Sequence, residues 1–232
     1  MNIVILIAAN IEWEALTNYL DRPQCQSYPF GEYFFRSYSF DGLPIKVRFV
    51  KVGWGKISSS AATQFVIDHW QPAILINLGT CGGIEGRTEV GEIIMVEKTI
   101  IYDLHVAIAD EASEIAHYTV DLITPWMSME IPVLARRGRM LSGDRDLRPE
   151  DIAHLVGRFE GIAADWESGA IAYVASRNNV PLIILRYVTD LVSHHKGEVY
   201  GDSVLPFEER VIVAMRVLEQ SVPGWIAFLK GL

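Results

Sequence analysis

Three carboxylates stand where a catalytic group could work. Glu12, Glu167 and Asp190 each fall one to four residues beyond a short apolar run that reads as a buried strand. If those strands are parallel neighbours, their carboxyl ends converge on one cleft, the usual ligand position in an open α/β sheet. Carboxylates gathered in a half-buried cleft acquire raised pKa values through desolvation and mutual repulsion, which suits general acid and base work near neutral pH. Each also has a plainer reading as a helix-start residue, favoured there by capping and by the helix dipole. The floor of the cleft would be Gly79–Gly83. The stretch AILINLGTCGG (73–83) reads as a strand buried on both faces that runs into a turn almost without side-chain bulk. Glycines there permit positive φ and let a ligand approach the main chain, or they serve only the geometry of a tight turn.

Other chemistries lack their signatures. The six histidines show no metal-ligand spacing, the adjacent pair His194-His195 would diverge, and neither Cys25 nor Cys81 has a CxxC partner, so neither metal nor cofactor is expected. A nucleophilic serine has no G-x-S-x-G turn, and AANIEWE after the first strand holds no glycine for a dinucleotide. Lys56 follows G-x-G without the spacing of a phosphate-binding loop and reads as structural.

The elements that must position these groups alternate between strand and helix. Asn2–Ala8 reads as the first strand, followed by a helix over 11–20 with Asn10 as its N-cap. Two strands, 32–40 and 44–52, join at Asp41-Gly42, a strong hairpin signal. A helix over 58–70 leads to the central strand, and a β segment over 92–102 follows. The region 104–133 has no clean period and reads as a long loop with some helix. Strands at 137–142, 161–164 and 181–186 alternate with a helix at 149–158 and, after Asp165–Ala170, a helix running to about 177. After a polar loop at 193–203 the chain ends in an amphipathic helix over 206–229. The expected architecture is one α/β domain over residues 1–232, three-layer α/β/α with a central mixed, mostly parallel twisted sheet.

Composition narrows the partners. Half of the 232 residues are hydrophobic and 21% are charged, so the chain can build a core. A net charge of −9 argues against a nucleic-acid or anionic-membrane surface. Two cysteines suggest no disulfide framework, and the opening MNIVILIAANIEWEAL has no basic leader and too short an apolar run to span a bilayer; a cytoplasmic protein is expected.

Together these residues resemble the family of 5′-methylthioadenosine/S-adenosylhomocysteine nucleosidases, within the wider purine nucleoside phosphorylase superfamily. The likeness runs nearly the whole chain in order. It begins with the first strand and the helix bearing Glu12, then VGWGK (52–56) and NLGTCGG (77–83), which matches N-x-G-[ST]-x-G-G. VGEIIMVE (90–97) leading to Tyr102-Asp103, SGD (142–144), Asp165–Glu167 and the R-x-x-[ST]-D of Arg186–Asp190 complete it. Plant-type members share the TCGG and VTDLV wording most closely. The resemblance implies hydrolysis of a purine N-glycosidic bond. Asp190 would protonate the leaving base at N7 with Thr189 in support. Glu12 would act as general base on a water that Arg186 and Thr80 also hold, and Glu167 would accept hydrogen bonds from the ribose hydroxyls. The main chain near Leu147 would read the adenine edge, Gly82 and Trp166 would contact substrate, and Phe207 would line the alkylthio pocket. A partner subunit's 104–133 region would close that pocket in a homodimer.

A phosphorylase would need basic residues for phosphate at the first strand–helix turn and at the central glycine stretch, and AANIEWE and Asn77-Leu78 have none. Three departures from the family pattern bear on specificity. Trp166 replaces a methionine under the ribose, Asp146 beside Arg145 replaces an adenine stacker, and the 193–203 loop is longer and more polar. A bulky Trp166 favours methylthioadenosine over S-adenosylhomocysteine. The alternatives are another purine-nucleoside hydrolase or phosphorylase of the same fold, such as a futalosine hydrolase, or a non-catalytic nucleoside-binding protein.

Overall fold

The computed structural model describes residues 1–122, 129–193 and 206–231. Its strands and helices, in chain order, are β1 (Ile3–Ile7), α1 (Asn10–Tyr19), β2 (Gln26–Tyr28), β3 (Gly31–Phe40), β4 (Leu43–Lys51), α2 (Gly55–Trp70), β5 (Ile74–Ile84) and β6 (Ile93–Ile101). Then follow α3 (Glu111–Tyr118), β7 (Val120–Asp121), β8 (Arg136–Ser142), α4 (Ile152–Phe159), β9 (Ala163–Asp165), α5 (Ser168–Arg177), β10 (Leu182–Val192) and α6 (Phe207–Lys230). The strand–helix alternation and the mixed sheet are as the sequence leads one to expect. The region 104–133 contributes α3 and the short β7, its residues 123–128 lie outside the described residues, and β2 is an addition to the polar connection.

From its edge inward the sheet runs β2, β3, β4, β1, β5, with β1 between β4 and β5. β1 runs parallel to both β4 and β5, and β5 runs parallel to β10. Beyond β10 the sheet curls. β6 pairs antiparallel with β10, β8 parallel with β6, β9 parallel with β8, and β9 returns antiparallel to β5 through Gly82↔Ala164. Five strands thus close into a ring that combines parallel and antiparallel pairings, a mixed sheet as expected.

Alternation along β1 sorts the core into two layers, because successive side chains of a strand point to opposite faces. Ile3, Ile5 and Ile7 pack with Trp13 and Leu16 of α1 and with Val211, Met215, Leu218, Val222 and Trp225 of α6. Val4 and Leu6 pack on the other face with Ala62, Val66 and Ile67 of α2 and Ile171, Ala172 and Ala175 of α5. Helix α6 is long and apolar enough to cross a membrane, yet the apolar residues named above lie buried against the sheet. Its buried Glu219 is matched by the Tyr38 hydroxyl at 2.7 Å and Arg36 Nε at 3.0 Å.

Two expectations are corrected by the central strands. Gly79–Gly83 is not a turn: β5 runs straight through it, paired with β10 and β9. Likewise β10 does not stop at Arg186 but continues to Val192, so Asp190 lies within a strand rather than beyond one. Both strands lengthen because each supplies the other with backbone partners, from Leu75↔Leu182 to Ile84↔Val192. That satisfaction outweighs the weak strand preference of glycine.

Candidate active site

A cavity of about 450 Å³ opens where β1, β5, β9 and β10 end or bend, within the range of small-molecule sites. Glu12, Thr80, Gly82, Leu147, Trp166, Glu167, Thr189, Asp190 and Phe207 all line it, as do Trp54, Arg145, Asp146 and Asp165. Nine of the ten residues singled out in the sequence therefore share one space.

Glu12 is buried, and its two oxygens divide the work. Oε2 accepts the Ala9 N–H at 3.3 Å, closing the start of α1, while Oε1 accepts the Thr80 N–H at 2.6 Å and the Thr80 hydroxyl at 2.8 Å. Ala9, not Asn10, occupies the cap position and has no side-chain acceptor to offer; Asn10 is the first helical residue, and Glu12 reaches back to satisfy the Ala9 N–H. Glu12 thus serves both readings, helix start and site. A glycine at 79 makes this possible. A Cβ there would stand 2.9 Å from Glu12 Oε1 and 3.0 Å from Arg186 Nη1, although Gly79 itself has no positive φ. The glycine is required for close approach and not for a turn.

Asp190 reaches the cavity through a bulge. The β10–β5 register slips between Val188↔Cys81 and Asp190↔Gly82, which leaves Thr189 as the inserted residue. The Thr189 hydroxyl donates to Asp190 Oδ1 at 2.7 Å and lies 3.3 Å from the Cys81 carbonyl oxygen. Asp190 is buried, and a Cβ on Gly82 would lie 3.5 Å from its Oδ2. No helix starts here, so the plainer reading of Asp190 falls away.

Glu167 stands at the cap position of α5, but its side chain does not cap that helix. It turns instead to the Gly55 N–H at 2.9 Å. Gly53 and Gly55, with φ of +82° and +81°, bracket Trp54 in a tight turn that aims this N–H and stacks Trp54 on Trp166, ring centroids 4.6 Å apart and 21° from parallel. Burial, reinforced by the charge of Asp165 and opposed by the Gly55 N–H, pushes the Glu167 carboxyl up to about 8. Glu167 shows the upward shift expected of a carboxylate in a shared cleft.

Arg186 departs from expectation. It does not line the cavity but lies behind its wall. Its Nε donates to Asp165 Oδ2 at 2.7 Å and its Nη2 to Asn77 Oδ1 at 2.7 Å. Burial works against its charge, but Asp165, Glu12 and Glu167 more than offset that and hold it firmly protonated. Nη1, the atom facing Gly79, has no hydrogen-bond partner among the described residues. Asp165 is the hub that sequence reasoning missed. Besides Arg186 it accepts the Ser142 hydroxyl at 2.7 Å, the Ser168 hydroxyl and the Ser168 N–H. Trp54 was missed as well, since VGWGK drew notice only as a helix start. Among the described residues no group of acidic, histidine or cysteine side chains could hold a metal. The loop 193–203 and the pair His194-His195 lie almost wholly outside the described residues.

A family model described as the phosphorylase superfamily matches residues 2–221. The chain belongs to the phosphorylase superfamily. Within it, a 5′-methylthioadenosine/S-adenosylhomocysteine nucleosidase of Maridesulfovibrio salexigens is 28% identical over 210 residues, 85% of this chain and 88% of that protein. One of the same description from Buchnera aphidicola is 32% identical over 152 residues, 61% of this chain and 66% of that protein. Among solved structures, the apo 5′-methylthioadenosine nucleosidase of Arabidopsis thaliana superposes with a TM-score of 0.73 at 24% identity, covering 100% of this chain and 96% of that one. An adenine complex of a nucleosidase from Colwellia psychrerythraea gives 0.70 at 23% identity, covering 97% and 93%. These likenesses establish that this superfamily member has their fold, and the resemblance drawn from its motifs is borne out.

Proposed function

We propose that this phosphorylase-superfamily member hydrolyses the N-glycosidic bond of 5′-methylthioadenosine to adenine and a 5-thioribose. One observation carries the reading: Glu12, Glu167 and Asp190, far apart in sequence, line a single cavity. Asp190, steadied by Thr189, gives its proton to purine N7, so the electron pair of the breaking C1′–N9 bond passes to a neutral base. The sugar left behind has oxocarbenium character. A water held by Glu12 and Thr80, with Arg186 behind them, forms the new C1′–O bond as Glu12 takes its proton. Glu167 accepts hydrogen bonds from the ribose hydroxyls. Gly82 and Trp166 contact the nucleoside, the main chain near Leu147 meets the adenine edge, and Phe207 packs on the alkylthio group.

Water, not phosphate, is the nucleophile. The Ala9–Glu12 and Thr80–Gly82 walls carry no cationic side chain, and Arg145, the cation in the lining, is paired with Asp151 at 2.9 Å. Trp166, stacked on Trp54, adds bulk to the cavity lining and narrows it, which favours methylthioadenosine over S-adenosylhomocysteine. Arg145 and Asp146 in the lining support a second reading, a purine-nucleoside hydrolase selective for another base; a futalosine hydrolase mutant of Helicobacter pylori shares the fold at a TM-score of 0.65.

A cytoplasmic homodimer in methionine salvage completes the proposal. Trp54, Ile57 and Ile108 are 60%, 84% and 100% exposed, apolar surface that a second copy would cover. The test is adenine release from methylthioadenosine in phosphate-free buffer and again with phosphate added. Release in both supports a nucleosidase, release only with phosphate identifies a phosphorylase, and release in neither refutes the substrate.

A further inference from the structure

The first turn of α6 touches the site twice. Phe207 lines the cavity, and three residues on, Arg210 Nη1 donates to the Thr189 carbonyl oxygen at 2.7 Å. The Arg210 guanidinium also lies 5.9 Å from the centre of the Phe207 ring. Thr189 is the residue inserted at the β10 bulge, where an extra residue is left without a ladder partner. Its hydroxyl bonds Asp190 Oδ1 and approaches the Cys81 carbonyl; its own carbonyl is met by Arg210.

We propose that Arg210 is a positioning residue for the general acid: by holding the Thr189 carbonyl it fixes the 189–190 peptide and so the direction in which the Asp190 carboxyl enters the cavity. Thr189 has no register partner of its own in β5 to set its carbonyl, and a charge-assisted bond from a guanidinium is among the stronger ways to set it. Phe207 and Arg210 share one helical turn, so the apolar wall of the cavity and the aim of the acid are fixed by the same element. The inference rests on the reading of Asp190 as the acid that protonates the leaving base.

The test compares Arg210→Met and Arg210→Lys with wild type on two substrates, methylthioadenosine and 4-nitrophenyl 5-methylthioriboside, whose nitrophenolate departs without protonation. Arg210→Met should lower kcat on the nucleoside by on the order of 10- to 100-fold, the effect of a misplaced catalytic group, while KM stays within about threefold. Its rate on the nitrophenyl riboside should stay within about twofold, and Arg210→Lys, which keeps a charged donor, should recover most of the nucleoside rate. In an Asp190→Asn background the Met substitution should add less than about twofold. Equal losses on both substrates, an undiminished nucleoside rate, or a full further loss beside Asp190→Asn would each overturn the proposal. Wild-type silence on methylthioadenosine would overturn the reading of the site itself, whereas wild-type turnover with an unchanged Arg210→Met would overturn this inference alone.

Discussion

Adding one methyl group at Gly79 should disable the site while leaving the fold largely intact. The Cβ of Gly79→Ala would meet Glu12 Oε1 at 2.9 Å, Arg186 Nη1 at 3.0 Å and Glu12 Oε2 at 3.1 Å. Ordinary contact begins near 3.4 Å, so the carboxylate must retreat by 3.4 − 2.9, or 0.5 Å. Neither neighbour yields freely. Glu12 is held by Thr80 at 2.6 and 2.8 Å, and Arg186 by Asp165 and Asn77, both at 2.7 Å. Displacing a base by a sizeable fraction of an ångström costs on the order of 10²-fold in kcat. Overpacking costs about 1–3 kcal/mol of stability, offset by about 0.4–1 kcal/mol from the stiffer unfolded chain, since the backbone here suits alanine. Adenine release and urea unfolding on one preparation separate the two. Gly86→Ala is the control, because Gly86 has φ +76° and nothing within 4 Å of an added Cβ. It should lose about 1 kcal/mol through backbone strain and no activity. A Gly79→Ala protein with more than about half the wild-type rate would refute the argument that Glu12 acts from its observed position.

Three other outcomes follow from the site. Glu12→Gln and Asp190→Asn should each lower turnover by on the order of a thousand-fold or more, and near-normal rates in either would sink the acid–base assignment. Native Glu167 keeps its proton up to about pH 8, whereas an unfolded glutamate releases it near 4.5, so the native state binds more protons in that window. Stability should therefore fall as pH rises from about 4.5 to 8, and Glu167→Gln should abolish that fall; melting curves for the two proteins that stay parallel over this range would contradict it. Asp165→Asn leaves the buried Arg186 guanidinium without its anionic partner and should cost about 3–5 kcal/mol in urea unfolding, with Asp165→Asn/Arg186→Met losing less than Asp165→Asn alone.

The legible part of the protein was what periodicity and composition encode locally. Apolar runs of β-branched residues marked the buried strands, and Asp41-Gly42 marked the hairpin. The carboxylates were found because catalytic groups cluster where such strands end. What escaped was set by distant partners. β5 continues through five residues, three of them glycine, because β10 lies alongside to pair with it, and nothing in TCGG announces that neighbour. Asp165 gathers Ser142 and Arg186, 23 and 21 residues away, so its centrality exists only once β8, β9 and β10 are assembled. Arg186 was assigned to the site on its motif, but the motif does not say which face of β10 it takes. Trp54 carries no periodic signal; its place depends on the two left-handed glycines that flank it.

The ring closed by β9 on β5 also bears on how the molecule behaves among its own kind. A sheet normally ends in two rows of unpaired amides and carbonyls that can template another chain. Here β10, at one end of the hydrogen-bonded path, turns back to pair with β5, so that end offers no such row. Among the described residues the other end is β2, three residues long and followed within two residues by the return of β3. β2 covers only Gly31–Tyr33 of β3, so among the described residues another chain seeking to extend the sheet at this end would meet the outer row of β3 from Phe34 to Phe40.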